Sequence, residues 1–156
     1  MKQVVVRLAI SESTNVNNSI MPDVCLQHMI AVMLIDKTVS FRAAHDRQRM
    51  QDPAILRQRA KVMLVTDEEL ETRRPAREAI VEVTLSDGAL LREHVEAVRG
   101  TAENPMTREE VVAKSRTLME PTMGETRCAR LIEKVFELAN VKDIRELRPL
   151  ISKDVS

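Results

Sequence analysis

Three histidines, two cysteines and one polar pair in an apolar run are the residues of this chain that could do chemistry. His28, His45 and His94 lie in three separate segments. No two of the histidines stand at a metal-ligand spacing, and neither cysteine completes a set of ligands that would close on a metal ion. No metal site is expected. Cys25 falls near a predicted helix start, but no base accompanies it to make it a nucleophile. A buried structural thiol is the expectation for both cysteines. Gln27 and His28 interrupt the otherwise apolar run 24–35. Polar side chains where burial is expected must find partners. The simpler reading of His28 is a hydrogen-bonded imidazole at a helix rim, the sharper one a ligand contact. Three glycines cannot build a phosphate-cradling loop, and no serine stands in a nucleophile elbow. Arg42, Arg47, Arg49, Arg57, Arg59 and Lys61 read as a solvated helix face rather than an anion site. From the residues themselves, no catalytic group and no cofactor is assigned.

These residues are carried by a readable series of elements. Val4, Val6, Leu8 and Ile10 alternate with Val5, Arg7 and Ala9, which predicts a strand over 3–10. A strand so close to the first residue suggests more chain in front of it. Residues 11–21, rich in Ser and Asn, are expected to form a loop. Pro22 and Asp23 suit the first positions of a helix over 24–35, and its apolar character predicts burial on more than one side. Residues 39–61 read as two short helices, with Ser40 capping one and Asp52-Pro53 opening the next. A strand follows over 62–65. The charge run 67–77 reads as a solvated loop with at most one helical turn. Asp87-Gly88 between the strand patterns 80–85 and 90–98 predicts a β-hairpin, with Gly100 ending its second strand. Asn104-Pro105 imposes an extended turn, and Thr107 with Glu110 has the spacing of a capping box. Helices are predicted over 108–119, 125–138 and 141–147, with Asn140 ending the second and Pro149 limiting the third. Strands and helices are segregated. The expected fold is therefore α+β: a small, mostly antiparallel sheet with a β-hairpin and helices packed on one side. The expected organisation is a single domain over 1–156.

Composition narrows the function classes. Lys and Arg number 24 and Asp and Glu 24, so no concentrated positive field exists to hold a polyanion. Phe41 and Phe136 are the only aromatic side chains apart from histidine, which leaves no stacking platform for bases. Nucleic-acid binding is not expected. The run 24–35 is too short to cross a bilayer and is interrupted by Gln27 and His28. No leader precedes the first strand, so the expectation is a cytoplasmic protein without a membrane role. Apolar stripes on the last three helices, among them Val111, Val112, Leu118, Leu131, Ile132, Val135, Ile144 and Leu147, point to self-association. A non-catalytic assembly module forming a homodimer is the alternative to an enzyme part.

Four stretches in order resemble the C-terminal, lid-like domain of the MmgE/PrpD family. They are the strand Val4-Val5-Val6-Arg7-Leu8, the helix from Leu26 to Asp36, the hairpin from Val81 to Gly88, and the loop Arg99-Gly100 through Asn104-Pro105-Met106-Thr107 with Lys114 beyond it. The resemblance covers about residues 2–147. That family includes 2-methylcitrate dehydratase, cis-aconitate decarboxylase and iminodisuccinate epimerase. The resemblance implies a two-domain parent whose active site lies in a cleft between this region and a large helical domain in front of it. Helices within 107–150 would then belong partly to that missing domain. It implies metal-independent lyase or isomerase chemistry on small polycarboxylic acids, as in propionate metabolism. Such chemistry needs cations for carboxylates and a base for a proton. Most of that machinery would sit in the helical domain, so the chain is expected to be inactive alone and to need no cofactor. The substrate-binding candidates implied here are Gln27, His28, Asn15 and Asn17. The family helix commonly carries an aromatic residue near His28, some members bring a tyrosine from the loop after the first strand, and a glycine is usual after Asp36. This chain has no tyrosine and has Lys37 at that last position.

Overall fold

Alternation of apolar side chains puts Val4 and Val6 on the inner face of the first strand, and both are buried. The computed structural model describes residues 1–152 and places this strand, β1 (Gln3–Ala9), inside a four-stranded sheet. Helices α1 (Ile10–Val16), α2 (Leu26–Asp36), α3 (Phe41–His45) and α4 (Pro53–Arg59) follow, then strand β2 (Val62–Asp67) and helix α5 (Glu68–Thr72). The hairpin strands β3 (Ala79–Thr84) and β4 (Leu90–Val95) complete a unit spanning Met1–Pro105. Strand order is β2-β1-β3-β4. β1 runs parallel to β2, with Val6 opposite Leu64, and antiparallel to β3, with Val6 opposite Val81. β3 and β4 form the expected hairpin, Val83 opposite Leu91, and Gly88 in its turn has φ 94°. The α+β, mostly antiparallel expectation holds.

Helix α2 is the centre of this unit. One flank lays Leu26, Ile30 and Leu34 on the sheet residues Val4, Val6 and Val62. The other packs Ala31 and Val32 on Ile55 of α4. An apolar helix held between a sheet and a second helix is buried on two sides, as its composition requires. The opposite face of the sheet carries charge: Glu82 lies 3.6 Å from Arg7 and 3.5 Å from Arg92.

Several boundaries in this unit differ from the sequence reading. Residues 10–16, expected mostly as loop, are helical. The hydroxyls of Ser13 and Thr14 donate to the carbonyl of Ile10, and the Asn15 amide donates to that of Ser11. The polar side chains thus bond back to the helix's own carbonyls instead of pulling the backbone into turns. Pro22 and Asp23 do not open α2. They lie in a turn closed by the Cys25 N–H to Met21 carbonyl bond, and Cys25 is the residue that flanks the helix. Ser40 and Asp52 cap α3 and α4 as expected, accepting from the N–H groups of Ala43 and Ala54. The charge run contains the single turn α5, capped by Asp67. β4 ends at Val95, before Gly100. The loop beyond it is closed instead by Asn104, which donates to the Ala97 carbonyl while the Gly100 N–H donates to the Asn104 carbonyl.

A second unit begins at Met106. Helix α6 (Arg108–Met123) opens on the full capping box. The Glu110 N–H donates to Thr107 Oγ1 at 3.2 Å, and the Thr107 N–H donates to the Glu110 carboxylate at 2.7 Å. α6 runs one turn beyond the expected end and contains Pro121. Helix α7 (Glu125–Phe136) follows Gly124, whose φ is 80°, and ends before Asn140. Pro149 does not limit a helix over 141–147. Residues Ile144–Leu147 form a 3-10 turn, and Pro149 lies in the opening turn of α8 (Arg148–Ile151), where a missing N–H costs nothing. Cys128, Leu131 and Leu150 form the buried side of this unit. The guanidinium of Arg108 lies 4.0 Å over the Phe136 ring.

Candidate substrate-facing groove

The four residues singled out in the sequence do not form one constellation. Asn17 and Gln27 do meet. The Gln27 amide donates to Asn17 Oδ1 at 2.7 Å, and its carbonyl oxygen accepts the Asn18 N–H at 2.9 Å. Asn18 holds a left-handed backbone, φ 49°, which asparagine tolerates, and its side chain accepts from Arg59 at 3.1 Å. Gln27 is therefore a satisfied buried amide that ties the end of α1 to the start of α2. Cys25 Sγ lies 3.9 Å from the same Gln27 oxygen and is fully buried, as is Cys128.

His28 corrects the rim reading. It is 0% exposed, and neither ring nitrogen has a hydrogen-bond partner among the described residues. Burial disfavours the charged ring, and the positive charges of Arg59 and Arg49 add to that, against a smaller opposing effect of Asp46. Its pKa is thereby held below the ordinary imidazole value, and the ring is neutral. Arg49 is itself committed to a two-pronged pair with Asp36 and holds that carboxyl below its usual range. His45 Nδ1 lies 2.8 Å from the Phe41 carbonyl, and His94 Nε2 lies 2.8 Å from Glu78. Among the described residues no three His, Cys, Asp or Glu side chains are grouped to hold a metal ion.

Asn15 lies elsewhere, on a groove of about 460 Å³. Its polar wall comes from Ser11, Glu12 and Asn15 on α1 and from Arg74, Arg77 and Glu78 in the segment between α5 and β3. Alternation along β1 ends as α1 begins, and this turns Ser11, Glu12 and Asn15 toward the charge run. Glu71 accepts both the N–H and the hydroxyl of Ser11 at 3.0 Å. Arg74 donates to the same Ser11 hydroxyl. The Ser11 N–H is the main reason that the Glu71 carboxyl titrates below its usual range, with the hydroxyl and Arg74 assisting. Arg77 faces Glu12 at 3.8 Å.

Asn15, a substrate-binding candidate by resemblance, lines this groove, whereas Ser11, Glu12, Arg74 and Arg77 are not among the sequence candidates. Only the charge run itself signalled the two arginines, and an unpaired charge run reads as solvent-facing. The groove offers anion-binding groups and carboxylates. Among the described residues, its wall has no histidine or lysine.

A family model for the MmgE/PrpD C-terminal domain matches residues 1–138. That span takes in the whole first unit together with α6 and α7 of the second. The chain belongs to the MmgE/PrpD family as its C-terminal domain. No curated protein matches the sequence. No helix among the described residues is long and apolar enough to cross a membrane.

Proposed function

We propose that this chain forms one wall of the active-site cleft of an MmgE/PrpD-type lyase or isomerase acting on small polycarboxylic acids, with 2-methylcitrate as the reference substrate. The family match over residues 1–138 carries this reading. The groove between α1 and the charge run supports it, because arginine, serine and asparagine side chains suit carboxylate and hydroxyl groups. Proton abstraction next to a carboxylate needs a base of suitable pKa within hydrogen-bond reach. His28, the buried imidazole among the described residues, does not line the groove, so a helical domain would supply acid and base. Within that division of labour this domain orients the acid and keeps water from it, in the cytoplasm and without a cofactor. The purified chain is expected to show no turnover of 2-methylcitrate or cis-aconitate alone, and measurable turnover once mixed with the helical domain of a family dehydratase. Turnover by the chain alone would overturn its inactivity. A mixture without turnover or association would overturn the cleft reading.

A second reading is a homodimer formed through the apolar faces of α6 and α7. Val111, Leu118, Val135 and Phe136 favour it, since each is more than two-fifths exposed. Light scattering is expected to report twice the monomer mass, and a clean monomer at millimolar concentration would sink the idea.

A further inference from the structure

Three arginines crowd the segment before β3, and their commitments differ. Arg73 pairs with Glu69 and, at 3.1 Å, with Glu78. Arg74 is bound to the Ser11 hydroxyl, which Glu71 also holds. Among the described residues Arg77 has a single approach, to Glu12 at 3.8 Å, outside hydrogen-bond range, and its side chain is 73% exposed. Arg77 also borders a second groove, of about 450 Å³, lined with Glu96, Thr101 and Glu103. Arg77 therefore belongs to the wall of both grooves.

An exposed, long, single-point ion pair contributes little to stability. A two-pronged arginine–carboxylate contact is shorter and stronger. An incoming carboxylate that engages both edges of the guanidinium thus gains more than the Glu12 contact loses. Glu12, whose side chain is only 23% exposed, fixes the position of the guanidinium until then. Arg74 cannot take this role without giving up its bond to the Ser11 hydroxyl.

We propose that Arg77 is the specificity-determining residue of this groove, exchanging the internal Glu12 carboxylate for a carboxylate of the bound acid. The inference rests on the reading of the groove as the cleft wall, and it adds which residue recognises the ligand and how Glu12 holds that residue in place.

The test uses citrate as the probe and the full chain, followed by NMR of the arginine Nε–H groups and backbone amides. Citrate is expected to shift the Arg77 Nε–H resonance together with the Glu12 and Asn15 amides, and sodium sulfate at matched ionic strength is expected to leave them unmoved. Arg77→Gln should weaken citrate at least about fivefold, and Arg77→Lys should recover part of that. Glu12→Gln should instead tighten binding, because it removes the competitor and leaves the arginine. A merely structural ion pair would make both variants weaken binding. Equal affinity of wild type and Arg77→Gln, weaker binding by Glu12→Gln, or no response up to about 20 mM citrate would overturn the proposal. Turnover in the two-domain mixture without any Arg77 effect would remove this inference and leave the cleft reading standing.

Discussion

His28 shows how one residue can be apparent in sequence and still be misread. Its type and its apolar neighbours mark it as unusual, but only packing reveals that the ring is enclosed without a partner. A neutral imidazole held below its ordinary pKa makes stability depend on pH in a defined direction. In the unfolded chain the ring gains a proton below about pH 6.5, whereas the folded ring resists until lower pH. The unfolded state then binds more protons, so stability falls as pH drops from the ordinary imidazole value toward the lowered one. Above that window His28 contributes no pH dependence. The urea midpoint is expected to fall between about pH 7 and about pH 5, and His28→Leu to reduce that fall. An unchanged slope in the variant would assign the pH dependence to other groups. Gln27, its neighbour, is the contrasting case, since each half of its amide meets a partner at the end of α1. Both residues are polar in an apolar run, and the sequence offers no means of telling them apart.

At the scale of elements, local chemistry and structure agree where a signal is complete within a few residues. The Asp87-Gly88 turn, the caps at Ser40 and Asp52, and the Thr107–Glu110 box all formed where their residues stand. The box matters because α6 buries no side chain completely. A helix with so little tertiary support depends on its end contacts. Thr107→Ala is expected to cost about 1 kcal/mol and to speed hydrogen exchange of the first-turn amides about fivefold, while Thr107→Ser retains most of the protection. Unaltered exchange in Thr107→Ala would show that other contacts hold this helix end. Helix α1 is the opposite case. Its Ser and Asn residues favour turns in isolation, and the helix forms because Ser13 is buried and Ser11 is held by Glu71, sixty residues away. Ser11, held by that contact, lines the groove.

The molecule as a whole divides at Pro105, and each unit holds one fully buried cysteine, Cys25 in the first and Cys128 in the second. The first unit has a sheet, a central helix and two apolar clusters. The second buries Cys128, Leu131 and Leu150 among its helices. Buried apolar area sets most of the free energy of local opening. Pulsed thiol labelling across a urea series is therefore expected to modify Cys128 at lower denaturant than Cys25. Coincident labelling of both thiols would contradict this order.

By itself the sequence determined the strand alternation of β1, the hairpin, the caps, the α+β class and the family, because each follows from spacing within a short window or from motifs in fixed order. Tertiary structure alone decided that Ser11–Val16 is helical, that Gln27 is satisfied while His28 is not, and that Glu12 and Arg77 share one groove. Those outcomes depend on partners outside the local window, from Asn17 beside Gln27 to Arg77 beside Glu12, and such contacts are set by how the sheet and helices pack, which no local pattern encodes.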